Sequence, residues 1–139
     1  MYKKILVAAD GSEHSQRTTK QAAELARLQD GSSITIIYVI DGDTSKHDVL
    51  AEGNPATLDM KRHERLKPIE GHLEAKGVPF EVVIKRGEPG PTIVKHANDE
   101  AFDIVIIGSR GLNALQEMVL GSVSHKVAKR ANCPVMIVK

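Results

Sequence analysis

At 139 residues the chain is long enough for one domain with a sizeable core and too short for two comfortable ones. Its 19 basic and 18 acidic residues leave a formal net charge of +1, and aromatic residues make up only 3%, with no Trp. That balance supplies neither the basic field that draws nucleic acid or an anionic membrane nor the stacking platforms for single strands, so neither is expected as a partner.

The first apolar run, Ile5–Ala9, is predicted as a strand. It follows a basic start but is too short for a signal peptide, and no stretch of the chain approaches a membrane span, so a cytoplasmic location is expected. A helix is predicted over Ser12–Leu28, with Ala22, Ala23, Leu25, Ala26 and Leu28 as its apolar face, Ser12 as N-cap and Gly31 closing it. The second strand is Ile34–Ile40. The polar, turn-rich stretch Asp41–Pro55 reads as a mobile loop and not as a domain boundary. A second helix is predicted over Ala56–Lys76 from the spacing of Leu66, Ile69 and Leu73, with a kink or break at Pro68 and a stop at Gly77. The third strand, Phe80–Ile84, contains Glu81 and follows Pro79, which marks a sheet edge. A third helix starts near Pro91 and carries Ile93, Val94 and Ala97. Ile104–Ile107 is the fourth strand, Ser122–Ala131 the fourth helix and Val135–Val138 the last strand. The lone cysteine, Cys133, excludes an intrachain disulfide, suits a reducing cytoplasm, and reads as a small packed residue.

Strands alternating with helices imply a parallel sheet with crossovers. Parallel strands are covered on both faces, so the unbroken runs Ile5–Ala9 and Ile104–Ile107 belong at the centre. The expected fold is α/β: a single doubly wound, Rossmann-like domain over residues 1–139, a five-stranded parallel sheet of order 3-2-1-4-5 with helices on both faces. Winding then reverses between strands 1 and 4, and ligands of such sheets bind at that switch point. The crevice would be built by the loops after Ala9 and Ile107.

The fourth strand leads into Gly108-Ser109-Arg110-Gly111, then nine residues, then Gly121-Ser122-Val123-Ser124. A helix start offers unpaired N–H groups and partial positive charge, which a phosphate satisfies. Glycine allows close backbone approach, and Ser122 and Ser124 add hydroxyls. The same residues also read as a strand–loop–helix with glycine turns and a serine cap. Asp10 reads as a metal–nucleotide ligand at the switch point or as a cap beside Ser12, and Arg110 as a phosphate partner or a solvated loop residue. The six histidines (His14, His47, His63, His72, His96 and His125) show no metal-binding spacing; His14 and His125 lie near the proposed crevice and read first as exposed helix-start residues, with contact to the phosphates as the alternative.

The spacing Gly-x2-Gly-x9-Gly-Ser, followed by Val-Ser, resembles the nucleotide-binding signature of the universal stress protein family. Lys4-Ile5-Leu6-Val7-Ala8-Ala9-Asp10-Gly11-Ser12 looks like that family's first strand and acidic turn, and Cys133-Pro134-Val135-Met136-Ile137-Val138 like its last strand. The resemblance covers essentially the whole chain. It implies that ATP, with Mg2+ (or Mn2+), is held through its phosphates and ribose by Gly108, Gly111, Gly121, Ser122, Val123 and Ser124. Arg110 would approach the nucleotide and Asp10 the ribose or the metal–phosphate region. Ala8 and Ala9 would offer backbone near adenine, Val39 would pack on it, and Ile107 fills the matching place after the fourth strand. The family also pairs its last strand across a two-fold axis. A homodimer through Val135, Met136, Ile137 and Val138 is therefore expected, as a bare apolar edge also suggests. The implied function is a cytoplasmic, ATP-binding regulator of the stress response, whose nucleotide-dependent state is read by protein partners. Catalytic residues are not evident: there is no P-loop, no triad and no paired carboxylate. The alternatives are slow ATP hydrolysis, autophosphorylation on Ser122 or Ser124, or a nucleotide-free dimeric interaction module.

Overall fold

The computed structural model describes residues 2–40, 55–109 and 121–139. Strands and helices alternate along them: β1 (Lys4–Ala8), α1 (Glu13–Arg27), β2 (Ser33–Ile40), α2 (Pro55–Ala75), β3 (Phe80–Arg86), α3 (Pro89–Asp99), β4 (Ile104–Gly108), α4 (Ser122–Arg130) and β5 (Val135–Val138). All strand pairs are parallel, in the order β3-β2-β1-β4-β5 that the apolar runs predict. The central pair is in register through Leu6 opposite Val105 and Val7 opposite Ile106.

Alternating side chains divide the core into two layers. Ile5, Val7, Ile34, Ile36, Ile104 and Ile106 point to one face, where Ala22, Ala23 and Ala26 of α1 and Leu66, Ile69 and Leu73 of α2 cover them. Leu6, Ile37, Val105 and Ile107 point to the other, against Ile93 and Ala97 of α3 and Val127 of α4. The first two helices therefore lie on one face and the last two on the other, which places the reversal of winding between β1 and β4. Each fully buried Leu or Ile contributes about 1.5–3 kcal/mol. Beyond Lys4 at the start of β1, the central strands β1 and β4 carry no charge, because both of their faces are covered.

Several local expectations are corrected. Strand β1 ends at Ala8 and not Ala9, although the Ala9 N–H still donates to the Ile37 carbonyl at 3.1 Å. Leu28 is not on the apolar face of α1. It is the C-cap residue and is 80% exposed, because the helix stops at Arg27. Pro68 does not break the helix: α2 runs without interruption from Pro55 to Ala75. Pro68 itself is exposed, while Leu66, Ile69 and Leu73 anchor both sides of it to the sheet. Helix α3 begins at Pro89, two residues before Pro91, with Glu88 as N-cap. Ser12 does cap α1, accepting from the Ser15 N–H at 3.1 Å. The expected mobile loop at 41–54 lies outside the described residues. No helix among the described residues is long and apolar enough to cross a membrane.

Candidate functional site

The carboxyl ends of β1 and β4 lie side by side, and the chain leaves β1 through a turn that carries Gly11. After β1, Gly11 adopts φ +84°, a conformation that disfavours any side chain. Asp10 closes this turn, its Oδ1 accepting from the Ser12 N–H at 3.0 Å. Helix α2 packs hard against the turn, since a Cβ on Gly11 would lie 2.7 Å from Arg65 Cβ and 3.0 Å from the Arg65 carbonyl. Arg65 is in turn tied to β2, donating from Nη1 to the Tyr38 hydroxyl at 2.8 Å.

After β4, the Ser109 N–H donates to the Val138 carbonyl of β5 at 2.9 Å. The Ser109 carbonyl accepts from the Gly121 N–H at 3.2 Å, bringing the start of α4 to the end of β4. A Cβ on Gly121 would sit 2.9 Å from that same carbonyl oxygen, so the close approach depends on glycine. Gly121 is the N-cap residue of α4, in an extended conformation, and supplies no side-chain cap. The first helical bond runs from the His125 N–H to the Gly121 carbonyl at 2.9 Å. The N–H groups of Ser122, Val123 and Ser124 precede it, where a helix has no internal acceptor for them. Ser122 is exposed. Ser124 is 2% exposed, and its hydroxyl donates to the Gly121 carbonyl at 3.0 Å.

The apolar residues singled out from sequence separate by face. Ala8, Val39, Ile107 and Val123 all belong to the layer beneath α3 and α4, and each stands at a strand end or helix start on the carboxyl side of the sheet. Ala9 packs into the opposite layer. Gly108 also faces α1: a Cβ there would lie 2.3 Å from His14 Cδ2 and 2.7 Å from His14 Nε2. Space at Gly108 is thus already filled by the protein's own imidazole. Arg110 and Gly111 lie outside the described residues.

His14 corrects the reading from sequence. It is 6% exposed, not a solvated helix-start residue. Its Nε2 lies 2.9 Å from the Val138 carbonyl and its Nδ1 accepts from Arg17 Nη2 at 2.7 Å. A signal for it existed: His14, Thr18, Ala22 and Ala26 form one i, i+4 stripe, and all four are buried. Ser109 was also missed, since it is one of the unspecified positions inside the glycine spacing. His125, by contrast, is exposed as expected. Cys133 is half-buried, and burial pushes its thiol above the ordinary range, which suits a packed residue more than a reactive one.

The model of the universal stress protein family matches residues 1–139. The chain belongs to that family. Universal stress protein YxiE of Bacillus subtilis is 36% identical over 157 aligned positions, covering all of both chains. The solved structure of MJ0577, a universal stress protein of Methanocaldococcus jannaschii, superposes with a TM-score of 0.83 at 34% identity, over 100% of this chain and 96% of that one. The universal stress protein of Archaeoglobus fulgidus in complex with dAMP superposes with a TM-score of 0.72 at 26% identity, over 99% of this chain and 98% of the other. These solved structures share the fold of this chain, in which Gly121 and Ser122 open α4 beside the end of β4.

Proposed function

We propose that this universal stress protein binds ATP at the junction of β1, β4 and α4, and works as a homodimeric regulator whose nucleotide state is read by partner proteins. The observation that carries this reading is the start of α4, where Gly121 provides no cap and Ser122, Val123 and Ser124 present first-turn N–H groups beside the strand ends. Such a terminus favours phosphate through both its donors and its dipole. The solved relative in complex with dAMP supports an adenine nucleotide as the occupant.

In this reading the phosphates meet the backbone of Gly121–Ser124 and the exposed Ser122 hydroxyl, with Gly108, Arg110 and Gly111 completing the loop. Adenine packs on the apolar rim formed by Ala8, Val39 and Ile107, with Ala9 backbone beside it. Asp10 is the carboxylate at the rim. One carboxylate fits Mg2+ (or Mn2+), which binds through one or two carboxylates together with substrate phosphates rather than in an all-protein cage. When bound, the cation would neutralise phosphate charge, and Asp10 would orient the ribose or the cation's water shell.

The register of β5 supports pairing of two copies. Pro134 and Val138 direct their carbonyls at β4, so by alternation the N–H and C=O groups of Val135 and Ile137 point away from it. A second copy of β5 would satisfy them and cover Met136, which is 37% exposed. The single cysteine suits a cytoplasmic setting for the one domain spanning 1–139.

The test is calorimetric titration of ATP with and without Mg2+, alongside identification of small molecules released from the purified protein. Saturable one-to-one binding per protomer is expected. Absence of heat and of any bound adenine compound at millimolar ATP would overturn the reading.

A further inference from the structure

We propose that His14 is a positioning residue that sets the glycine loop and the outer strand β5 in place together, so that nucleotide binding and pairing of β5 are coupled through one imidazole. This rests on the proposed nucleotide site and on the pairing of β5.

The geometry defines the imidazole's state. The Val138 carbonyl can only accept, so Nε2 carries the proton. The Arg17 guanidinium can only donate, so Nδ1 must be the acceptor. Both ring nitrogens are used, and the ring is held in one tautomer and one orientation. Its edge occupies the volume where any side chain at position 108 would begin, with Thr18 Oγ1 3.0 Å from the same point.

From the ring a continuous path of hydrogen bonds leads to the start of α4. The Val138 carbonyl accepts hydrogen bonds both from His14 Nε2 at 2.9 Å and from the Ser109 N–H at 2.9 Å. The Ser109 carbonyl then accepts from the Gly121 N–H at 3.2 Å. One residue, Ser109, is thus held on one side by the end of β5 and on the other by the residue that opens α4. At the other end, His14 sits in the first turn of α1, immediately after the Asp10–Ser12 turn. The ring therefore touches β4 and β5 and belongs to the element that carries the acidic turn. Moving β5 changes the position of Val138 O, and through Ser109 the placement of the Gly121 backbone. Occupancy of the α4 terminus acts along the same path in reverse, because coupling between sites is reciprocal.

Two substitutions in the full-length chain test this, His14→Ala and His14→Gln. The Gln side chain offers one amide donor and one carbonyl acceptor, as the neutral ring does. Three readouts are compared: amide hydrogen exchange at Ser109 and Gly121, ATP affinity, and the dimer dissociation constant with and without ATP. His14→Ala is expected to speed exchange at Ser109 and Gly121 about tenfold, to leave β2–β3 amides unchanged, and to weaken ATP binding about tenfold. It should also abolish any effect of ATP on dimer dissociation, and His14→Gln should restore each property at least in part. The proposal is overturned if His14→Ala leaves exchange at Ser109 and Gly121 at wild-type rates. It is equally overturned if exchange rises uniformly over all strands, which is loss of stability alone. Imidazole nitrogen shifts in the wild-type protein give a reading independent of any variant: an Nε2–H tautomer supports the proposal and an Nδ1–H tautomer refutes it. A wild-type protein that binds no ATP would defeat the proposed function instead, while the exchange and tautomer readouts still judge the role of His14.

Discussion

Replacing Gly121 by Ala separates a crowded helix start from an ordinary one. Gly121 has φ −63° and ψ 151°, which any residue adopts, so backbone strain plays no part. In open space at such a position Ala would stabilise the protein by about 0.4–1 kcal/mol, through the unfolded chain. Here the new Cβ would lie 2.9 Å from the Ser109 carbonyl oxygen, well inside normal contact. That oxygen cannot yield easily, because it accepts from Gly121 itself while the Ser109 N–H is bonded to Val138. Relief of the overlap costs about 1–3 kcal/mol, as overpacking usually does. Ala is also a poorer N-cap than Gly, which adds a loss of the same sign. The net expectation is destabilisation by about 1–3 kcal/mol, or a fall in Tm of roughly 3–4 °C per kcal/mol for a chain of this size. Far-UV circular dichroism during urea and thermal unfolding measures it, since the chain has no Trp to serve as a fluorescent probe. ATP affinity should fall about tenfold, because a shift of the α4 terminus misplaces its N–H donors. Gly121→Val, with two further methyl groups, should abolish binding. A Gly121→Ala protein as stable as wild type, or more stable, would show that Ser109 does not crowd this position and would refute the reasoning.

Gly108→Ala should cost about 2–3 kcal/mol by expelling the His14 ring, yet under about 1 kcal/mol in a His14→Ala background; additive losses in that double-mutant cycle would show that the two residues do not compete for one space. Burial holds His72 below its ordinary pKa, helped by the Lys20 and Lys76 charges and opposed by Glu24. Burial, then Lys85, does the same at His96, with Lys4 adding to the lowering and Glu100 and Glu81 opposing it. The unfolded chain thus binds more protons than the folded one below about pH 6.5, so this stability is present above that pH and is lost as pH falls. The urea midpoint should drop between pH 7 and pH 5.5, and replacing both residues by Gln should flatten the slope; a midpoint that stays level or rises on acidification contradicts this. Ile137→Pro removes an N–H directed away from β4, so it should leave the sheet folded by circular dichroism while shifting sedimentation from dimer to monomer. A variant that remains dimeric would exclude backbone pairing through β5.

Much of this molecule was readable along the chain. Unbroken Val and Ile runs placed β1 and β4 at the centre, the charge within β3 placed it at an edge, and the resulting order located the switch point. The glycine and serine spacing then pointed to the start of α4. These features are legible because a strand covered on both faces must be apolar throughout, and because a helix start at such a crossover has few ways to be built. What the tertiary structure alone decided involves residues far apart in sequence that answer to each other's shape. The i, i+4 stripe of α1 hints that His14 faces inward, but only Gly108 and Val138 determine where its ring goes and which nitrogen keeps the proton. The need for glycine at 121 arises from the carbonyl of Ser109, and the continuity of α2 through Pro68 from the packing of Leu66, Ile69 and Leu73 on the sheet. Periodicity records which face of an element is buried. It carries no record of which distant atom fills the space beside it, and that choice is made only when the layers close.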